Sequence, residues 1–104
     1  MNDISHLNKF LDKAAHDPAV CPTQISFYLA LFRLWQEKNF KNPVSIEKQE
    51  LMSVSKISSK ATYHKCLRIL HAGGYIHYRP TFHPYKASKV FMLFLSDDSN
   101  KETG

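Results

Sequence analysis

The sequence predicts a single α+β domain in which helices come first and a β-hairpin comes last. Its 104 residues allow one modest hydrophobic core. Apolar residues recur at helical spacing through most of the chain, whereas two late runs are rich in aromatic and β-branched residues. Hydrophobic residues make up 43% of the chain, which is enough to fold. We therefore expect one domain over residues 1–96 and a disordered polar tail at 97–104.

Two helices are predicted in the first part of the chain. The first lies within residues 1–17 and ends at Asp17-Pro18, because its apolar residues follow a spacing of three and four. Those apolar residues are Ile4, Leu7, Phe10, Leu11 and Ala14. The second begins at Pro22-Thr23 and ends near Asn39. Apolar residues cover nearly its full circumference, so we expect it to pack on two sides.

The middle of the chain predicts two shorter helices joined by a turn. A short β-like piece at 43–45 leads into a helix expected over residues 46–52, for which Ser45 is a good N-cap. Residues 53–57 are then expected to form the turn. Ser58 or Ser59 is the expected N-cap of the next helix.

The end of the domain predicts a hairpin. Gly73-Gly74 should end the preceding helix, as glycine does at the C′ position. Strands are expected at 75–79 and 89–95, since both runs are rich in aromatic and β-branched residues. The loop between them, residues 80–88, contains two prolines and no acidic residue.

Charge is distributed unevenly along the chain, whose net charge is +5. Residues 1–55 hold equal numbers of acidic and basic residues, whereas residues 51–96 contain no Asp or Glu at all. The cations of that acid-free stretch are Lys56, Lys60, Lys65, Arg68, Arg79, Lys86 and Lys89. A field of one sign over half a domain favours a polyanionic partner, most commonly nucleic acid, over a merely solvated basic face.

The helix after Ser59 carries the predicted DNA-contacting surface. The side expected to face the core consists of Tyr63, Cys66, Leu67 and Leu70, which places small residues and cations on the opposite side. Arg and Lys there can reach guanine in the major groove, while the N–H groups at the helix start suit a phosphate. The hairpin adds further cations beside the helix. The residues expected to contact DNA are Ser58, Ser59, Lys60, Ala61, His64, Lys65, Arg68, Arg79, His83, Lys86 and Lys89.

These segments resemble a bacterial winged helix-turn-helix. The likeness is carried by PVSIEKQELMSVSKI at 43–57, SSKATYHKCLRILHAGGYI at 58–76 and PTFHPYKASKV at 80–90, and it covers residues 20–95. It is similar to the short winged-helix proteins of Bacteroidetes conjugative elements, which are described as transcriptional regulators. It is also similar to the N-terminal domains of DnaD-type replication proteins.

The resemblance implies a fold and a function. The fold is a winged helix-turn-helix over residues 43–95, with an extra N-terminal helix and a C-terminal β-hairpin wing. The implied function is non-catalytic binding of double-stranded DNA, in transcription regulation or as an accessory factor of a mobile element. The helix has no Asn or Gln on its outer side for adenine, and the wing contains two prolines. Backbone contact is therefore better supported than base-specific recognition.

Enzymatic and metal-binding functions are not expected. An acid–base pair would have to come from the first half of the chain, where the carboxylates look solvated. No glycine-rich phosphate loop or nucleophile motif is present. Cys66, His77 and His83 show neither Cys-x-x-Cys nor His-x₃₋₅-His spacing, so we expect no metal and no cofactor.

The remaining expectations concern location and partners. The chain has no apolar run of 18 residues and no secretory signal, and it has only two cysteines, so we expect a cytoplasmic protein with no membrane partner. We also expect a homodimer, because bacterial helix-turn-helix proteins bind paired half-sites. The N-terminal helix (Leu7, Phe10 and Leu11) or the apolar last strand would form its interface, unless that helix packs onto its own domain. The alternative function is a winged-helix protein–protein interaction module in a replication or excision assembly.

Overall fold

The computed structural model describes residues 3–82 and 87–95, so the tail predicted at 97–104 lies outside the described residues. The fold is α+β, with four helices and a three-stranded antiparallel sheet in the described part of the chain. The elements in chain order are α1 (Asp3–Ala15), α2 (Pro22–Glu37), β1 (Val44–Ile46), α3 (Lys48–Ser55), α4 (Lys60–Ala72), β2 (Ile76–Arg79) and β3 (Ser88–Met92). This order agrees with the predicted one. None of these helices is long and apolar enough to cross a membrane.

The sheet has one buried face and one exposed face. β3 lies between β1 and β2 and is antiparallel to both, with Val90 paired to Val44 on one side and to Tyr78 on the other. Since side chains alternate along a strand, Val44, Val90 and Met92 share one face and are buried, and Tyr78 on the same face is half-buried. The opposite face carries Ser45, His77, Arg79, Lys89 and Phe91.

The core is built around α2. Its Phe27, Tyr28, Leu31 and Trp35 are fully buried. α3 and α4 pack against this helix, and α1 contacts it through His6 and Phe10. The ring of Phe10 on α1 stacks on Tyr28 with 3.8 Å between centroids. α1 is therefore part of the domain core rather than an appendage.

Tyr75 connects α1 to the start of the hairpin. Its hydroxyl donates a hydrogen bond of 3.0 Å to Asp17 Oδ2, and the Lys13 ammonium lies 4.6 Å from its ring centroid. The ring passes so close to Gly73 that a Cβ there would be 2.6 Å from Cε2. Gly74, at φ 81°, supplies the left-handed residue that ends α4. Both glycines at the predicted helix end are thus required, for different reasons.

The start of α3 differs from the prediction. Ser45 is not an N-cap, because Ser45 and Ile46 pair with β3 and belong to β1. The helix begins two residues after Ile46, and Glu47 is its N-cap, with Oε1 accepting a hydrogen bond of 2.7 Å from the Glu50 N–H. Pairing with a distant strand has overridden a favourable local capping signal.

Two further boundaries were predicted wrongly. A turn was predicted at 53–57, but residues 53–55 continue α3. Within that predicted turn, Lys56 adopts the left-handed conformation, at φ 63°. The strand predicted at 89–95 ends at Met92. There the Asn42 side chain replaces the next β1 residue: its Nδ2 donates to the Met92 carbonyl and its Oδ1 accepts from the Met92 N–H, each at 2.9 Å.

Candidate nucleic-acid interface

The orientation of α4 agrees with the prediction. The helix begins after Ser59, whose Oγ accepts a hydrogen bond of 3.3 Å from the Thr62 N–H. Its inward side is buried, as expected, and consists of Tyr63, Cys66, Leu67 and Leu70. Its outward side is exposed and consists of Ala61, His64, Lys65, Arg68 and Ala72, which we call the α4 stripe.

The polar groups on the inward side serve the core. The Tyr63 ring packs edge-on against Phe27 at 5.5 Å, and Gln24 Nε2 donates a hydrogen bond of 3.5 Å to Cys66 Sγ. Burial raises the pKa of the Cys66 thiol and of the Tyr63 hydroxyl. Both groups therefore stay protonated near neutral pH, and Cys66 is a core residue rather than a nucleophile.

A groove of about 630 Å³ runs between α4, the start of α3 and the hairpin. Lys48, His64 and Arg68 line it together with aromatic residues, among them Tyr78 and Phe82. Phe82 is 95% exposed. The groove thus joins cations from two helices to an exposed aromatic side chain of the hairpin.

Two of these groove residues were missed by sequence reasoning. Lys48 lies in the charge-balanced half of the chain, so the acid-free stretch did not include it. Phe82 lies in the basic loop between β2 and β3. The one sequence signal for its exposure is that its immediate neighbours in sequence are not apolar. One acid, Glu47, lies near the groove, and its negative charge contributes to the raised pKa of Tyr63.

The hairpin cations lie on a different surface from the groove. Arg79 and Lys89 are paired in register across β2 and β3 and occupy the exposed face of the sheet. The Arg79 guanidinium carbon lies 5.6 Å from the Phe91 ring centroid, and Lys89 Nζ donates a hydrogen bond of 2.6 Å to Ser45 Oγ. The hairpin residues His83 and Lys86, also predicted to contact DNA, lie outside the described residues.

Two histidines connect α4 to that exposed face. His71 Nδ1 accepts a hydrogen bond of 3.0 Å from the Tyr78 N–H, and its ring centroid is 5.1 Å from that of His77. His77 in turn lies 5.9 Å from Phe91. Neither histidine was predicted as a contact, although both belong to the acid-free stretch. In residues 3–82 and 87–95, no group of three or more His, Cys, Asp or Glu side chains is placed to hold a metal ion.

At the start of α4, Ser58 and Lys60 are exposed on either side of the capping Ser59. Within the described part of the chain, the cations of the acid-free stretch form no ion pair. The ion pair that is present, at 3.5 Å, joins Arg33 and Glu37 on α2, outside that stretch. The described cations concerned are Lys56, Lys60, Lys65, Arg68, Arg79 and Lys89. Their charge is therefore available to an external anion.

No protein-family profile matches the chain, and neither the curated proteins nor the solved structures include a significant match.

Proposed function

We propose that this chain is a winged helix-turn-helix that binds double-stranded DNA without catalysis. In this proposal α4 enters the major groove and the β2–β3 hairpin contacts the phosphate backbone. The protein would act as a transcriptional regulator or as an accessory factor of a mobile element. The observation that carries the proposal is the α4 stripe, which holds His64, Lys65 and Arg68 on an exposed helix side without a carboxylate.

The arrangement of elements supports the fold part of the proposal. α3 and α4 are consecutive helices joined by a short connection around Lys56, as in a helix-turn-helix. A hairpin follows α4 directly, and its β3 strand inserts between β2 and β1. β2 packs against α4, so the hairpin lies beside that helix, and in this proposal it serves as the wing.

The dimensions and chemistry of α4 suit the major groove. Its 13 residues extend about 20 Å, and a groove roughly 12 Å wide admits one helix. Ala61 and Ala72 add little bulk near the two ends of the stripe, so the helix can approach the base edges closely. Between them Arg68 can bond bidentately to guanine, whereas Lys65 acts as a point charge.

The hairpin is suited to positioning rather than to sequence recognition. Arg79 and Lys89 lie side by side on the exposed sheet face, where each can neutralise a phosphate. Phe82, beside the groove, can pack against sugar and base edges. Sequence preference would therefore come from α4, and most of the non-specific affinity from the cations around it.

A salt titration tests the proposal. Fluorescence anisotropy of a random-sequence duplex should give a log affinity that falls with log salt at a slope of roughly −3.5 to −6, for about four to seven phosphate contacts. Heparin should displace the DNA. Lys89→Ala should weaken binding to every sequence alike and reduce the slope by about one unit.

Two outcomes would overturn the proposal: a flat salt response, or no binding to any duplex at low salt. The second candidate, a protein–protein interaction module in a replication or excision assembly, would then lead. One observation favours that candidate, namely the exposed apolar side chains Leu29 and Val54 on α2 and α3.

A further inference from the structure

The groove between α4, the start of α3 and the hairpin combines cations with aromatic rings. Its volume of about 630 Å³ lies within the range of ligand pockets, roughly 300–1,000 Å³. Lys48 of α3, Arg68 of α4 and Phe82 of the hairpin all line it, and none of the described lining residues is acidic. The cleft between α2 and α3 differs, because Glu37 and Glu50 line it and would repel a polyanion.

The aromatic residues of the groove differ in exposure. Tyr63 is 3% exposed and packs edge-on against Phe27, so the inner wall that a ligand would meet is fixed by the core. Phe82, at 95%, is the most exposed large apolar side chain in residues 3–82 and 87–95. A ring left in water contributes no burial energy to the fold. The face of the Phe82 ring is therefore open to a ligand.

Cations beside an exposed aromatic ring suit a nucleotide. Its phosphate takes the positive charge, and its base stacks on the ring. In a paired duplex each base is already stacked between its neighbours, so a side chain reaches only sugars and base edges. An unpaired base offers its face to an aromatic side chain and stacks on it whatever its identity. The ring of Phe82 therefore favours a strand that is not fully paired.

We propose that this groove binds an unpaired DNA strand that extends from the duplex held by α4. Phosphates of that strand pair with Lys48 and Arg68, and one of its bases stacks on Phe82. Arg68 belongs both to the α4 stripe and to the groove, so the two surfaces are continuous. The inference rests on the proposed function, because α4 in the major groove brings the strand to the groove. It adds a substrate class, namely DNA in which a duplex meets a single strand.

Two kinds of DNA with equal numbers of nucleotides test the groove. The first is a blunt duplex of about 23 base pairs, and the second is a duplex of about 20 base pairs with about six unpaired thymines at its 3′ or its 5′ end. Anisotropy titrations of the full chain at fixed salt give the affinity for each. The better of the two tailed duplexes should bind about 5-fold or more tightly than the blunt duplex, because one stacked base supplies at least that factor.

Aromatic variants attribute this affinity ratio to one side chain. Phe82→Ala should reduce the ratio to near one, and Phe82→Trp should retain it, because a larger ring still stacks. Phe94→Ala is the matched control, since Phe94 is 66% exposed beyond the end of β3 and does not line the groove. Its ratio should equal that of the wild type. All three variants should keep the wild-type circular dichroism spectrum.

A second pair of variants tests the phosphate contact. Lys48→Ala should lower the ratio, because it removes a cation from the groove. Lys38→Ala removes the same charge from an exposed position at the end of α2, outside the groove, and should leave the ratio unchanged.

The outcomes separate this inference from the proposed function. Equal affinity for the blunt and the tailed duplexes, or a ratio that Phe82→Ala leaves unchanged, would overturn the inference and leave the proposed function standing. No binding to any of these DNAs would overturn both. A thymine strand that binds with the same dependence on Phe82, while the blunt duplex does not bind, would overturn duplex binding by α4 and support the assigned ligand of the groove.

Discussion

Arg33 on α2 and Arg68 on α4 are both exposed, yet their surroundings differ. Arg33 lies one helical turn before Glu37 and pairs with it at 3.5 Å. Arg68 belongs to a stripe with no carboxylate on its helix, and it borders a groove that also contains Lys48. One arginine is neutralised within the chain, whereas the other is available to a ligand.

The two regions have the same kind of interior. α2 and α4 each bury a full row of apolar side chains against one common core. An exposed ion pair such as Arg33–Glu37 contributes only about 0–1 kcal/mol, so acids around α4 would neither help nor harm folding much. Stability therefore does not account for the difference between the two surfaces.

The largest expected effect separates the inner side of α4 from its outer side. Leu67→Ala should lower the free energy of unfolding by about 2–5 kcal/mol, because Leu67 is fully buried and truncation leaves a cavity. Arg68→Ala, one residue further along, should change it by less than about 0.5 kcal/mol. Urea unfolding followed by circular dichroism measures both. If Arg68→Ala is the more destabilising change, the DNA-facing side of α4 is assigned wrongly.

The next effect compares the two arginines directly. Arg68→Ala should cost about 1–3 kcal/mol of DNA-binding free energy and relax the preference at one base position. Arg33→Ala removes an equally charged, exposed residue that already has an internal partner, so it should leave affinity almost unchanged. Anisotropy titrations at fixed salt with a selected duplex provide the measurement. Equal losses for both variants would mean that only net charge matters.

The smallest expected effect is on the pH dependence of stability, and it concerns the difference between exposed and buried histidines. His64, His71 and His77 are exposed, whereas His6 on α1 is buried with its Nε2 2.7 Å from Tyr28 Oη. Burial and, to a lesser degree, the charge of Lys9 lower the pKa of His6, so the folded state holds this imidazole neutral. The Tyr28 hydroxyl, whose pKa is raised by burial, can then donate its proton to Nε2.

Stability should consequently depend on the protonation of His6. The unfolded chain binds a proton near the ordinary histidine pKa of about 6.5, above the pKa of the folded state. The contribution of His6 is therefore fully present above that pH and is lost as pH falls toward the folded pKa. His6→Gln can keep a hydrogen bond to Tyr28 and should reduce the loss in urea midpoint between pH 7.5 and 5.5. An unchanged pH dependence in the variant would exclude this role.

The features of α4 could be predicted because they are local. Its buried residues recur at helical spacing, Ser59 can cap it whatever lies elsewhere, and Gly73-Gly74 can end it. The start of α3 could not be predicted in the same way. The strand β3, more than 40 residues further along the chain, pairs with Ser45 and thereby decides that this residue is strand rather than cap.

Tertiary contacts also decided what the local patterns left open. The spacing of Phe10 predicted a buried helix face, but only the stacking on Tyr28 shows that its own domain buries it. For the candidate site, the acid-free stretch identified Arg68 and His64. It could not identify Lys48, because the folding of α3 beside α4 brings that residue into the groove.

Asn42 has a consequence for the end of the sheet at Met92. By pairing with both the N–H and the carbonyl of Met92, one side-chain amide occupies the position where β1 would otherwise continue along β3. An extended segment from another molecule finds those two backbone groups already bonded. Asn42 thus satisfies, within the chain, two backbone groups at the end of β3 that would otherwise be open to pairing with a further strand.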